Sequence, residues 1–264
     1  MRRLPGIREK KQEILPAGYL FDNRALKRLI APLIIEQILA VTVGMVDTMM
    51  VSSVGEAATS GVSLVDMINT LLINVFAAVA TGGAVVASQY LGQKNRKRAC
   101  ESAVQLLIVT GIISLLVMGG AILFQRGLLH LLYGNLEPDV MKNALVYLVI
   151  SAASYPFLAI YNSCAALFRS MGNSKISMQV SVVMNGINIF GDAVFIFGFH
   201  MGVAGAAFAS LISRMIACVI LMVRLFDPKL EITLKGTKFG WHQRIVGRIL
   251  QVGIPRGGGH SYFQ

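Results

Sequence analysis

Six apolar stretches, each long enough to cross a lipid bilayer, decide what this chain can fold into. They run from Leu29 to Val54, Val62 to Leu91, Ala103 to Phe124, Ala144 to Phe168, Ile176 to Phe199 and Val203 to Phe226, and each is bounded by a polar or glycine-rich loop. A hydrocarbon core about 30 Å thick admits only structures that pair every backbone N–H and C=O internally, which a helix of about 20 residues does. A transmembrane barrel would show segments of about 10 residues with strict alternation, and none is present. The reading is therefore an all-α membrane protein, a bundle of six transmembrane helices. Only 14% of the residues are charged, against roughly a quarter in an ordinary soluble domain.

The charge that remains is unevenly placed. Lys and Arg number eight in residues 1–28, four between Gln93 and Arg98, two between Arg169 and Lys175 and six between Arg224 and Arg248, whereas the loops on the other side hold only Arg126 and Lys142. By the positive-inside rule this puts the N-terminus and the even-numbered loops in the cytoplasm, in a multi-pass protein of the cell membrane. The net charge of +11 is thus a topology signal, and it calls for no nucleic-acid partner. The chain divides into a basic N-terminal segment, 1–28, a six-helix lobe, 29–226, and a cytoplasmic loop with the start of a seventh helix, 227–264. The first apolar run is too long for a signal peptide and is read as retained. The loop QKNRKR is either a plain cytoplasmic anchor or a site for anionic lipid head groups.

The fifth segment carries chemistry. In SVVMNGINIFGDAVFIFG, Ser181, Asn185, Asn188 and Asp192 step by four, three and four, so on a helix they share one narrow face. Such groups are costly in hydrocarbon unless they meet partners, so the stripe should face protein or water. On the first segment Glu36 and Asp47 are eleven residues apart, about three turns, and share a face too. Asp47 comes 19 residues after Arg28 and Asp192 comes 17 after Lys175, which at about 1.5 Å per residue sets them roughly 29 and 26 Å from the same side. The two acids are expected to approach each other across helices one and five, where both could not stay ionised without a cation. A second reading of Asp47 is a charge that snorkels to the outer interface, and Glu36 can be an interfacial charge at the other end.

Helix four combines a kink at Tyr155-Pro156 with Tyr161, Asn162 and Ser163, groups that can line a cavity for organic cations or simply pack. Arg214 is the only basic residue well inside a membrane segment and should pair with an acid or reach a cavity. The second segment has Asp66 and Asn69 near its outer start, Asn74 further in, and a small-residue run, Ala77 to Ala87, suited to close helix packing. Cys100, Cys164 and Cys218 have no CxxC spacing, and His130, His200, His242 and His260 have no metal-ligand spacing. No nucleophile and base recur on facing segments, so no enzyme, metal site or cofactor is expected.

Five motifs in order, VDTMMVSSVG with Asp47, ASQYLGQKN with Gln89 and Gly92, FRSMGNSKISM with Gly172 and Asn173, NIFGDAVFIFG with Asn188 and Asp192, and GVAGAAFASLISR with Ser210, resemble the multidrug and toxic compound extrusion (MATE) family from about Leu29 onward. The resemblance implies twelve helices in two lobes, exporting cationic and amphipathic compounds in exchange for H⁺ or Na⁺. It implies an amino-lobe cation site of Asp47, Asp192 and Asn188, with Ser210 where the family often has threonine and Asn162 as a polar contributor. Glu36, Asn185, Tyr161 and Arg214 are candidates for the substrate cavity. The tail RGGGHSYFQ resembles the start of helix seven, with Phe263 and Gln264 where the family often has such a pair.

By that comparison the chain holds the amino lobe of a twelve-helix transporter and lacks the other, as a truncated or fragmentary frame would. Alternating access is then expected to need the missing lobe or a second copy, with drug-like small molecules and membrane lipid as the other partners. A lipid-linked sugar flippase of the same wider superfamily and a membrane fragment without transport are the alternatives.

Overall fold

The computed structural model describes residues 23–237 and 242–253, with side chains in the first helix from Ile30 onward. The expectations for residues 1–22, His260 and the tail with Phe263 and Gln264 lie outside the described residues. The elements are α1 (Asn23–Ser52), α2 (Glu56–Gly92), α3 (Arg96–Leu123), α4 (Gln125–Tyr133), α5 (Pro138–Ala153), α6 (Tyr155–Ser170), α7 (Ser174–Asp192), which continues as a π-helical turn (Ala193–Gly198), α8 (Val203–Leu225) and α9 (Gln243–Gly253). Five of these are long and apolar enough to cross a membrane, and the pair α5 and α6, bent by 47°, makes a sixth crossing. The all-helical six-span reading holds.

The bend falls where the sequence predicts a kink. Pro156 has no N–H to give to the turn before it. Ser154, between the two helices, turns its backbone N–H and its hydroxyl onto Ser151, at 2.9 and 2.6 Å. Two elements lacked a clear sequence signal, the short helix α4 and the π turn. The hydroxyl of Tyr133, the last residue of α4, donates to the Leu64 carbonyl at 2.7 Å and ties that helix to α2.

Two of the motifs turn out to be the same device. Helix α6 ends with the Asn173 N–H on Phe168 O and the Gly172 N–H on Arg169 O, both at 2.9 Å, with Gly172 at φ +74°. This is a Schellman cap, and glycine is the residue that enters its left-handed position without a Cβ penalty. Helix α2 ends the same way, Asn95 N–H on Tyr90 O and Lys94 N–H on Leu91 O, with Lys94 at φ +59°. Asn95 then starts α3 by accepting the Arg98 N–H on its side chain at 3.1 Å.

In the bundle α2 packs on α3, α5, α6 and α9, while α7 packs on α1 and α8. The small-residue run of α2 serves close approach. A Cβ on Gly82 would collide with the backbone of Gly253 on α9, so these helices cross almost backbone to backbone. One apolar core, built on Phe76, Tyr155, Phe168, Leu221 and Leu225, fills the end that carries the basic loops, and a second, built on Val65, Leu129, Leu148 and Val203, fills the other. Side chains such as Met45, Met49, Leu116 and Leu131 point outward, as lipid-facing residues should. The connection after α8 is part of this body, because Ile232 and Leu234 are buried in the first core.

Candidate functional site

Helix α7 is the polar spine that its spacing predicts, and each rung meets a different neighbour. Ser177 donates to Glu36 Oε1 of α1 at 2.6 Å. Ser181 lies close to the Tyr161 hydroxyl of α6 and accepts the Asn185 amide at 3.5 Å. Asn188 donates through Nδ2 to Ser210 Oγ of α8 at 3.2 Å. Gly191 makes that reach possible, since a Cβ there would sit 2.9 Å from Ala209 Cβ, and the absence of one brings α7 against the small face of α8.

The last rung is Asp192, 1% exposed and the final α-helical residue before the π turn. Such wide turns occur often at functional positions, where they shift the register of the groups beyond them. Asp192 faces Asp47 of α1, the two carboxyls in hydrogen-bonding reach of each other. Yet neither oxygen of Asp192 nor Oδ1 of Asp47 has an N–H or O–H donor among the described residues, and all three atoms are buried. Two carboxylates carry acceptors only. A proton shared by the pair, a cation between them or a bridging water would each satisfy these atoms. Asp47 Oδ1 is buried on the side of α1 that meets α7.

The other candidates are arranged around this pair at different distances along the bundle. Glu36 is not beside it. Its carboxylate is occupied three turns away by Arg169 Nη1 at 3.4 Å and by Ser177, forming a bridge between α1, α6 and α7. Asn162 holds a buried Nδ2 with no acceptor, and Tyr161 is buried on α6. Arg214 enters no ion pair within 4.0 Å among the described residues, which contain two, Arg98–Glu101 and Arg169–Glu36. It donates instead to Ser154 Oγ at 2.6 Å, in the bend between α5 and α6.

The acid nearest to that role was not selected from sequence. Asp66 accepts at Oδ1 from the Tyr147 hydroxyl at 3.1 Å and from Asn69 Nδ2 at 3.2 Å. Asn69 in turn accepts the Tyr155 hydroxyl at 2.8 Å, so α2, α5 and α6 are joined by a buried polar chain. Arg214 lies within electrostatic range of Asp66, Asp47, Tyr147 and Tyr155. Three carboxyls and one guanidinium therefore share one region. The signal in the sequence was Asp66 and Asn69 at i, i+3 together with Tyr147 and Tyr155 on the fourth apolar segment, and nothing in spacing alone selects it.

The MatE family model matches residues 32–194, which run from within α1 through α7 and contain both acids of the pair. The chain belongs to the MatE family. It is 31% identical to the uncharacterized transporter YisQ of Bacillus subtilis, over 86% of this chain and 50% of that protein. It is 30% identical to a probable multidrug resistance protein, NorM, of Thermotoga maritima, over 88% of this chain and 50% of that one. Among solved structures it superposes on a MOP superfamily transporter from Pyrococcus furiosus with a TM-score of 0.81 and 22% identity, covering 87% of this chain and 51% of the other. An inward-facing MATE family transporter gives 0.76 at 22% identity, over 87% and 52%. These likenesses fix the fold of the lobe. The chain spans about half the length of the curated relatives it matches.

Proposed function

We propose that this MatE lobe is the ion-coupling half of a membrane exporter of cationic or amphipathic compounds, and that Asp47 and Asp192 hold the coupling ion, H⁺ or Na⁺. The observation that carries the reading is the pair of neighbouring carboxyls in which three buried oxygens have no donor among the described residues, because such a pair gains or loses a cation as a unit. Asn188 and Ser210 stand one turn away with an amide oxygen and a hydroxyl, ligand types that suit Na⁺ and serve equally to orient a protonated carboxyl. The class of exported compound follows the relatives, whose names describe multidrug resistance and multidrug and toxin extrusion. Export by this lobe is taken to need an opposing lobe, from a longer chain or a second copy, since alternating access rocks one bundle against another.

The ion site can be tested on the chain itself. In lipid nanodiscs, isothermal calorimetry at fixed pH with and without Na⁺, together with a pH-indicator dye, should count one cation taken up that the Asp47→Asn/Asp192→Asn variant does not take up. Equal uptake by both proteins would remove the assignment.

We also propose the orientation that the basic loops dictate, with the N-terminus and Asn95 in the cytoplasm. The three native cysteines are buried, so a single cysteine introduced at Glu56 or Glu137 should react with an impermeant maleimide on intact cells and one at Asn95 should be spared. Labelling at Asn95 would reverse the topology.

A further inference from the structure

We propose that a cavity at the end of the bundle with the basic loops binds the phosphate of an anionic phospholipid head group. The cavity holds about 650 Å³ between the first turns of α3, the stretch from Pro228 to Thr237 that follows α8, and His242. Its charged lining is Arg96, Lys97 and Lys235, with His242 and one acid, Glu101. Glu101 is already engaged by Arg98 at 3.8 Å, whereas Lys97 and Lys235 have no carboxylate partner among the described residues. The cavity is therefore positive, and its two free ammonium groups stand exposed at its wall.

The walls are built and held. Arg96 gives its guanidinium to three carbonyls of the connection, Leu230 at 2.7 Å, Glu231 at 3.0 Å and Pro228 at 3.1 Å, so its charge is held in place and enters no ion pair among the described residues. Thr233 donates to Leu225 O at 3.2 Å and accepts the Lys235 N–H at 3.2 Å, and buried Ile232 and Leu234 pin the strip from below. A loop that hangs loosely would not keep a cavity of this size, but one fastened at both its polar and its apolar positions does.

The source of the phosphate follows from the surroundings. Val223 and Phe226, 65% and 43% exposed at the end of α8, offer an apolar surface for acyl chains next to the connection that forms the cavity. A lipid can use both features, and a free phosphate can use only one. The site joins the lobe's last span to the start of α9, so a bound head group would fasten that end of the helix.

The test uses the purified chain in nanodiscs of equal phosphatidylglycerol and phosphatidylcholine, followed by native mass spectrometry of the lipids that remain bound. At about 1 kcal/mol for each basic residue near a membrane surface, Lys97→Gln/Lys235→Gln should lower retained phosphatidylglycerol by roughly tenfold or more relative to phosphatidylcholine. Lys235→Glu, a second variant at an exposed side chain, should do the same, and Lys94→Gln/Lys175→Gln, at the same end of the bundle, should not. Inorganic phosphate at millimolar concentration should fail to displace the lipid. Retention unchanged in both site variants, an equal loss in the Lys94/Lys175 control, or displacement by phosphate alone would each overturn the proposal. The result does not depend on whether Asp47 and Asp192 couple export.

Discussion

Asp192→Asn is expected to leave the lobe folded and to abolish cation-coupled export in a transporter of the relatives' full length that carries this lobe. The substituted amide keeps the shape of the carboxyl and brings two N–H donors to a place where Asp47 Oδ1 has none. It copies the neutral form of the pair and holds it there. Asn188 and Ser210, whose hydrogen bond does not involve Asp192, should be undisturbed. Stability should therefore stay level or rise, as often happens when a strained functional group is relieved, while efflux of ethidium from a pump-deficient host falls to the level of cells without the pump. Asp47→Asn should act in the same direction. Unchanged efflux with normal expression would show that the pair does not carry the coupling ion, and loss of the protein from the membrane would show that the pair serves the fold.

How far this could be read from sequence depended on which physical signal set each feature. The spans and the matched depths of Asp47 and Asp192 were legible because a constant helical rise, anchored by Arg28 and Lys175, turns residue counts into depths. The bend at Ser154 was legible because proline removes a donor wherever it stands. Which faces of α2, α5 and α8 meet was not, since lipid and protein core are both apolar and periodicity cannot tell one from the other. That is why Asp66, Tyr147 and Tyr155 stood apart in sequence although they form one network. Glu36 was hidden for a related reason. Its partner Arg169 looked like one more loop cation, while the structure puts it in the last turn of α6 with its guanidinium turned back onto α1.

Arg214→Met is expected to be the most damaging single change in the lobe that leaves its shape nearly unaltered. The guanidinium is always charged, and it is the one cation within electrostatic range of Asp47 and Asp66 among the described groups that act on them. Removing it leaves a group of buried acids without a counter-charge and the Ser154 hydroxyl without its donor at the α5–α6 bend. Losing a charged hydrogen bond costs roughly 1.5–3 kcal/mol, which for a chain of this size corresponds to a fall of about 5–10 °C in the thermal midpoint. A second substitution separates electrostatics from packing. In Asp66→Asn the amide oxygen still accepts from Tyr147 and Asn69, so that variant alone should be mild, while in the Arg214→Met background it removes a stranded charge and should recover part of the loss. Such a recovery is a coupling between sites that share no hydrogen bond, and a double-mutant cycle on thermal midpoints in detergent measures it. If the double variant is no more stable than Arg214→Met, the cost lies in the lost Ser154 contact and side-chain volume, and Asp47 and Asp66 do not share Arg214 as their common counter-ion.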